Sequence, residues 1–420
     1  MRARLSLLLA VVCVLAGCKL ESRQDARIHL EFWTMSLSPT YDEYLHRLIA
    51  EFESLHPEVE LEWVDLPLDA ARQKLMASIA GGVAPDLVNL NTELALVLAQ
   101  NGALVAVSDK VPAEVQAGYF PGLWKAAELE GKVYAVPWYV TTRVLMYNKA
   151  IFRQAGLDPE RPPETFEELA QMARTIRRKT RAVPYMPAIK IVNDWALYGV
   201  PIVDTSARPM KATFAGADGV ARLEYYEDLY ESDVIPKETL TESYRGALDR
   251  YNAGALAILE AGPQFLLKIQ ADAPQVYADT GVAPFPRTPT DAVPAATMNF
   301  VVPRASKHQE LAIELGLFIT SPKNQLEFDK IVPILPSTIE TAGDEFFQKG
   351  KGEPLQDQAV RISIDQLTRA RDLSLALPHQ NDLNRVLKEA VEAALGDREV
   401  TAREALEKAA REWDRILGAF

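Results

Sequence analysis

Six tryptophans, 58 carboxylates and a body without reactive thiols set the chemistry open to this 420-residue chain. Flat aromatic faces suit the apolar C–H side of a pyranose ring, and planar polar groups pair with several hydroxyls at once. Trp33 and Trp138 stand at or just past the ends of extended runs, and Trp195 follows Asn193-Asp194 in a polar interruption. These three are the candidate ligand faces. Trp63 alternates with glutamates, Trp124 precedes Lys125-Ala126-Ala127 and Trp413 lies on an apolar helical face, so packing accounts for them. The histidines, at 29, 46, 56, 308 and 379, show no metal-ligand spacing, and no metal or other cofactor is expected. Gly-x-Ser-x-Gly, His-Glu-x-x-His, phosphate-loop and EF-hand patterns are absent. A glycosidase needs two acids, and among 58 some pair always fits, so abundance does not select an enzyme.

The composition, 48% hydrophobic and 25% charged, is that of a globular protein, and the length suits two or three compact units. A net charge of -13 repels a nucleic-acid backbone, so no nucleic-acid partner is expected. Arg2 and Arg4 precede an apolar run from Leu5 to Leu15, which is half the ~20 residues of a membrane span and reads as a signal peptide over 1–17. Its Leu15-Ala16-Gly17-Cys18 ending resembles a bacterial lipobox, which implies diacylglyceryl attachment at Cys18. Without residues 1–17 the chain carries 43 basic against 58 acidic side chains, a net of -15, and Cys18 is its only cysteine. Disulfides and thiolate chemistry are thereby excluded from the folded body. Residues 18–27 read as a polar tether that holds this body at a membrane, outside the cytoplasm, through lipid alone.

The elements that must position a site follow from periodicity. Ile28, Leu30 and Phe32 alternate with polar neighbours as in a half-buried strand. Tyr41, Leu45, Leu48, Phe52 and Leu55 share one face of a helix that His56-Pro57 ends. Val59, Leu61 and Trp63 form a second strand, a helix around Leu75 and Ile79 stops at Gly81-Gly82, and Asp86 to Leu90 is a third strand. This alternation predicts a wound α/β unit whose loops at the strand ends bind ligand, which singles out Thr34, Ser36, Asn91 and Glu93. Asp86 reads as a structural loop acid. Capping boxes are expected at Thr165 with Glu168 and at Thr401 with Glu404, and another helix start at Ser321-Pro322.

Separated segments across nearly all of the chain resemble the extracellular solute-binding proteins of sugar-type ATP-binding-cassette importers. They include Phe32-Trp33-Thr34, Gly81-Gly82 with Pro85-Asp86-Leu87-Val88, Gly131-Lys132-Val133-Tyr134-Ala135-Val136-Pro137, Tyr147-Asn148-Lys149, Asn252-Ala253-Gly254 leading to Gly262-Pro263, and Val301-Val302-Pro303. The resemblance implies a two-lobed clamshell of class II, periplasmic-binding-protein-like, in which the chain crosses between lobes three times. The crossings are expected near Trp138–Arg143, Ala296–Asn299 and Val332–Pro336. The N-terminal lobe would then hold 28–140 and 299–332, and the C-terminal lobe 143–290 and 337–420.

By the same resemblance, Glu93 falls where an acid accepts sugar hydroxyls. Thr141 replaces an acidic group at the hinge, Gln264 replaces a stacking tryptophan, and Tyr139 and Asn299 flank crossings. The implied partners are a sugar or polyol ligand and the importer's membrane subunits, with the binding protein a monomer. An extracytoplasmic carbohydrate-active enzyme, or a surface lipoprotein without a small-molecule ligand, stays open as an alternative.

Overall fold

The computed structural model describes residues 27–418 except 243, 350, 351 and 353. The leader, Cys18 and most of the tether lie outside the described residues. Strand β1 (Ile28–Met35) runs parallel to β2 (Val59–Leu66), with Ile28 opposite Val59 and Met35 opposite Leu66. Between them α1 (Asp42–Leu55) buries Tyr44, Leu45, Leu48, Ile49 and Phe52. Helix α2 (Leu68–Ala80) ends at Gly81-Gly82, where Gly82 takes a left-handed φ of +71° that a side chain would resist. The chain then enters β3 (Leu87–Asn91) and α3 (Thr92–Gln100). Asp86, just before β3, accepts from the Glu31 N–H at 3.0 Å and the Ser306 hydroxyl at 2.5 Å, a loop acid that ties three segments together.

Strand β4 (Val136–Thr142) still belongs to the first sheet, whereas β5 (Val144–Asn148) starts the second. The second lobe continues through α4 (Phe166–Lys179), β6 (Val183–Tyr185), α5 (Ile191–Tyr198), α6 (Ala217–Glu231), α7 (Tyr244–Asn252), β7 (Leu256–Ala261) and β8 (Thr280–Ala283). Strand β9 (Val293–Val301) returns to the first sheet, followed by α8 (Pro322–Ile331) and β10 (Leu335–Pro336). Helix α9 (Pro354–Gln366) lies on β8 and β5, β11 (Ala370–Asp372) rejoins the first sheet beside β9, and α10 (Gln380–Gly396) and α11 (Ala402–Leu417) end the fold. The strand orders are β10-β4-β9-β3-β1-β2 in the first lobe and β8-β5-β7-β6 in the second.

Thr401 and Glu404 form the full reciprocal box at 3.1 and 3.2 Å. At α4 only half of it forms. Thr165 accepts from the Glu168 N–H, but the Glu168 carboxylate turns to the N–H of Glu164 at 2.8 Å.

The first crossing falls within the expected range, and the other two differ from those expected. The first is the single residue Arg143, between β4 and β5. The second precedes Val293, because Ala296 to Asn299 lie within β9, where Asn299 faces Leu90 of β3. The third comes after Val332–Pro336, since Ser337 and Thr338 still take hydrogen bonds from or give them to Gln325 and the Pro137 carbonyl in the first lobe. The chain has reached the second lobe by α9, and β11 adds a return to the first. Gln366 fastens two crossings together. Its Oε1 accepts from the Phe285 N–H at 2.7 Å and its Nε2 donates to the Arg143 carbonyl at 3.3 Å.

One acid in the first-lobe core sits at odds with its surroundings. Asp329 on α8 is 3% exposed and its Oδ2 has no partner among the described residues. Burial pushes its carboxyl well above the ordinary value of 3.8. A raised value means that the folded state holds the proton more tightly. The favourable contribution is therefore complete below the unfolded value and is lost as pH rises through the folded one. Asp329→Asn is expected to stabilise the protein by about 1–3 kcal/mol at pH 8 and to change little at pH 3.5. Urea unfolding at the two pH values checks this; an equal effect at both would refute it.

Candidate functional site

A groove of about 700 Å³ opens between the two sheets. Its floor is the hinge: Thr141 to Arg143, Pro294 to Ala296 and Asp372. The first lobe contributes Glu93, in the first turn of α3. The second contributes Lys190 to Asn193 at the start of α5, Thr239, Tyr244 at the start of α7, and the turn that follows β7. That turn carries Gly262, Gln264 and Phe265, and Glu260 adjoins it at the end of β7. A Cβ on Gly262 would stand 2.3 Å from the Gln264 Oε1, so glycine is what lets the amide fold back over the turn.

The aromatic lining consists of Tyr244 and Phe265, edge to face at 5.0 Å and 61°. Burial pushes the Tyr244 hydroxyl well above the usual phenol range, with the Arg143 charge pulling partly against it. Around this pair the Thr142, Thr239 and Tyr244 hydroxyls and the Gln264 Oε1 are buried without a partner among the described residues. Each such oxygen costs free energy until something pairs with it. The groove's charges are better provided for. Arg143 donates to Glu260 at 3.3 Å, and the Tyr185 hydroxyl donates to the other oxygen of Glu260. Asp372 accepts from the Thr92 hydroxyl at 2.7 Å, the Thr297 N–H at 2.9 Å and the Ser374 N–H at 3.1 Å.

Of the residues expected at the ligand, the structure brings Glu93, Thr141 and Gln264 to this groove. The other eight lie elsewhere: Ser36 stands just past β1, outside the groove, and the remaining seven each have a structural reason. Trp138 is fully buried in the first-lobe core, stacked on Phe300 at 4.7 Å and on Phe328 at 4.9 Å. Tyr139 packs edge-on against Trp138 at 5.0 Å, and burial pushes its hydroxyl up to about 12. Trp195 is fully buried in the second-lobe core, stacked on Phe214 at 4.8 Å with its N–H given to the Gly219 carbonyl. Trp33 is 4% exposed, donates to Glu31 at 2.6 Å and carries the Lys74 ammonium over its ring. Thr34 accepts from Trp63 and donates to Asp65. Asn91 caps α3 by accepting from the Leu94 N–H at 2.9 Å. Asn299 lies inside the sheet and donates to Thr92 at 3.0 Å.

Sequence reasoning missed Arg143, Tyr244 and Phe265. Phe265 follows Gln264 directly, so the aromatic face sits one residue beyond the position where a tryptophan was sought. Arg143 had a local signal, a lone cation between two apolar strands.

Comparison with known proteins agrees with this architecture. The sequence pattern of the family described as bacterial extracellular solute-binding protein matches residues 38–326. The crystal structure of a periplasmic-binding protein from Synechococcus sp. MITs9220, assigned there to oligosaccharides, superposes with a TM-score of 0.84 at 30% identity, covering 93% of this chain and 99% of that one. An uncharacterized lipoprotein of the oleD 5′ region from Streptomyces antibioticus is 25% identical over 338 residues, 78% of this chain and 74% of its own. The diacetylchitobiose binding protein DasA of Streptomyces coelicolor is 30% identical over 159 residues, 38% of this chain and 36% of its own.

Proposed function

The chain belongs to the bacterial extracellular solute-binding proteins, and from that membership we propose that it captures an oligosaccharide or related polyol by lobe closure and delivers it to an ATP-binding-cassette importer. The observation that carries this is the Tyr244–Phe265 pair at the hinge groove, set among four uncharged oxygens that lack partners among the described residues. An aromatic face with orphaned hydroxyl and amide groups is what a hydroxyl-rich ring satisfies. Relatives point the same way, by the oligosaccharide and diacetylchitobiose in their descriptions. A ligand that touches both lobes favours the closed form by its differential affinity for that state. Two of the groove carboxylates, Glu260 and Asp372, spend their oxygens on hydrogen bonds within the protein, which suits binding better than turnover. In this reading a lipid on Cys18 keeps the protein beside its importer, outside the cytoplasm. No helix among the described residues is long and apolar enough to cross a membrane.

The test is calorimetric titration with mono-, di- and trisaccharides and polyols, together with small-angle scattering. A binding saccharide should be recovered unaltered and should reduce the radius of gyration. Phe265→Ala should then weaken binding by about tenfold, or about 1.4 kcal/mol. An affinity unchanged in Phe265→Ala would remove the aromatic pair from the site.

A further inference from the structure

Resting on the reading of the groove as a solute site, we propose that the solute carries an oxyanion, a carboxylate or a phosphate, which docks at the hinge against the Arg143 guanidinium.

The argument is a balance of donors and acceptors. Of the four carboxylates that line the groove, Glu260 and Asp372 have both oxygens occupied, Glu392 pairs with Lys388 at 3.7 Å, and Glu93, on the first-lobe wall, is the one without a partner among the described residues. The donors are not matched in this way. Arg143 gives one N–H to Glu260, over a long 3.3 Å, and its other N–H groups have no partner among the described residues. Its side chain is 32% exposed and lines the groove. The Tyr244 hydroxyl, within the field of that cation, is also unpartnered. So is the Lys190 ammonium on the same wall, among the described residues.

Lobe closure would remove water from this surplus of donors. A sugar hydroxyl can accept one bond and leaves the guanidinium's other N–H groups unpaired in a drier site, whereas an oxyanion supplies two or more charged acceptor positions beside the one that Glu260 gives. The backbone that carries the cation is held at the hinge. Arg143 is the sole residue between β4 and β5, and Gln366 pins its carbonyl. Glu93, across the groove and without a hydrogen-bond partner among the described residues, suits the opposite end of the ligand, where hydroxyls donate. The ligand is then acidic at one end and hydroxylated at the other.

The experiment compares matched probes by calorimetry: digalacturonate against the neutral galactose disaccharide, and glycerol 3-phosphate against glycerol. The acid-bearing member of at least one pair should bind about tenfold tighter or better, and the pair that shows the difference identifies the oxyanion as carboxylate or phosphate. The preference should vanish in Arg143→Gln. Because that change strips Glu260 of a partner, it is repeated in Arg143→Gln with Glu260→Gln, with folding checked by thermal melt. Neutral probes that bind as well as their acidic partners would overturn the inference and leave the solute reading intact. A preference for acid that survives both variants would also overturn it. If no saccharide or polyol binds, neutral or acidic, the solute reading falls with it.

Discussion

Trp138→Ala is expected to cost about 3–5 kcal/mol of stability while leaving the affinity of the folded protein close to that of the parent. The indole is fully buried between Phe300 of β9 and Phe328 of α8, with interplanar angles of 25° and 16°. Its N–H has no partner among the described residues, so alanine loses packing and dispersion without orphaning any group. The cavity would open between the sheet and α8, on the far side of β4 from the hinge groove. Urea denaturation measures the loss, and titration at a temperature where both proteins are folded measures the affinity. A large fall in affinity at unchanged stability would put the ring back at the ligand.

That expectation inverts the one the sequence alone suggests, and the inversion shows what periodicity can and cannot tell. Alternation groups residues by face only where the ladder is regular, and β4 is not: its pairing with β9 skips Trp138, so that Trp138 and Tyr139 both pack against Phe328 while Val140 joins a separate cluster. It does not say which face looks toward the opposite lobe. The strand ends of β1 and β3 were legible because Ile28 to Phe32 and Leu87 to Leu90 are long, regular apolar patterns. The roles of Thr34 and Asn91 were not, since a polar residue at a strand end serves a ligand or a neighbouring backbone equally well. Here Asp65 and the α3 N-terminus claim them. Glu93 reaches the groove from the start of α3, Thr141 from the end of β4 and Gln264 from the turn after β7, positions that the elements themselves fix. Tyr244 and Phe265 meet only through the packing of α7 on β7, a contact with no local signature. The late third crossing has a similar cause: Gln325 holds Ser337 and Thr338 in the first lobe through its side chain.

Asp194→Ala is expected to destabilise the second lobe by about 3–5 kcal/mol, because it leaves a buried cation without its counter-ion. Asp194 and Arg222 are 7% and 5% exposed, and the guanidinium donates to both carboxylate oxygens, at 2.5 and 3.1 Å. The Tyr226 hydroxyl gives a third bond at 2.9 Å. Above and below the cation lie Tyr198 and Tyr225, each ring centre 3.9 Å from it, so Arg222 has no route to water. Replacing both partners, by Asp194→Leu with Arg222→Met, should recover most of the loss, since two desolvated charges go together. The consequence extends to the groove. Asp194 follows Lys190 to Asn193, the residues that form the second-lobe wall, and it is the anchor that ties α5 to α6 behind that wall. In Asp194→Ala the affinity should fall along with stability. In Asn193→Ala, one residue earlier and facing the groove, any change should be confined to affinity. Thermal melts paired with titrations of the three variants separate these roles. If Asp194→Ala melts with the parent, the buried pair does not hold the wall.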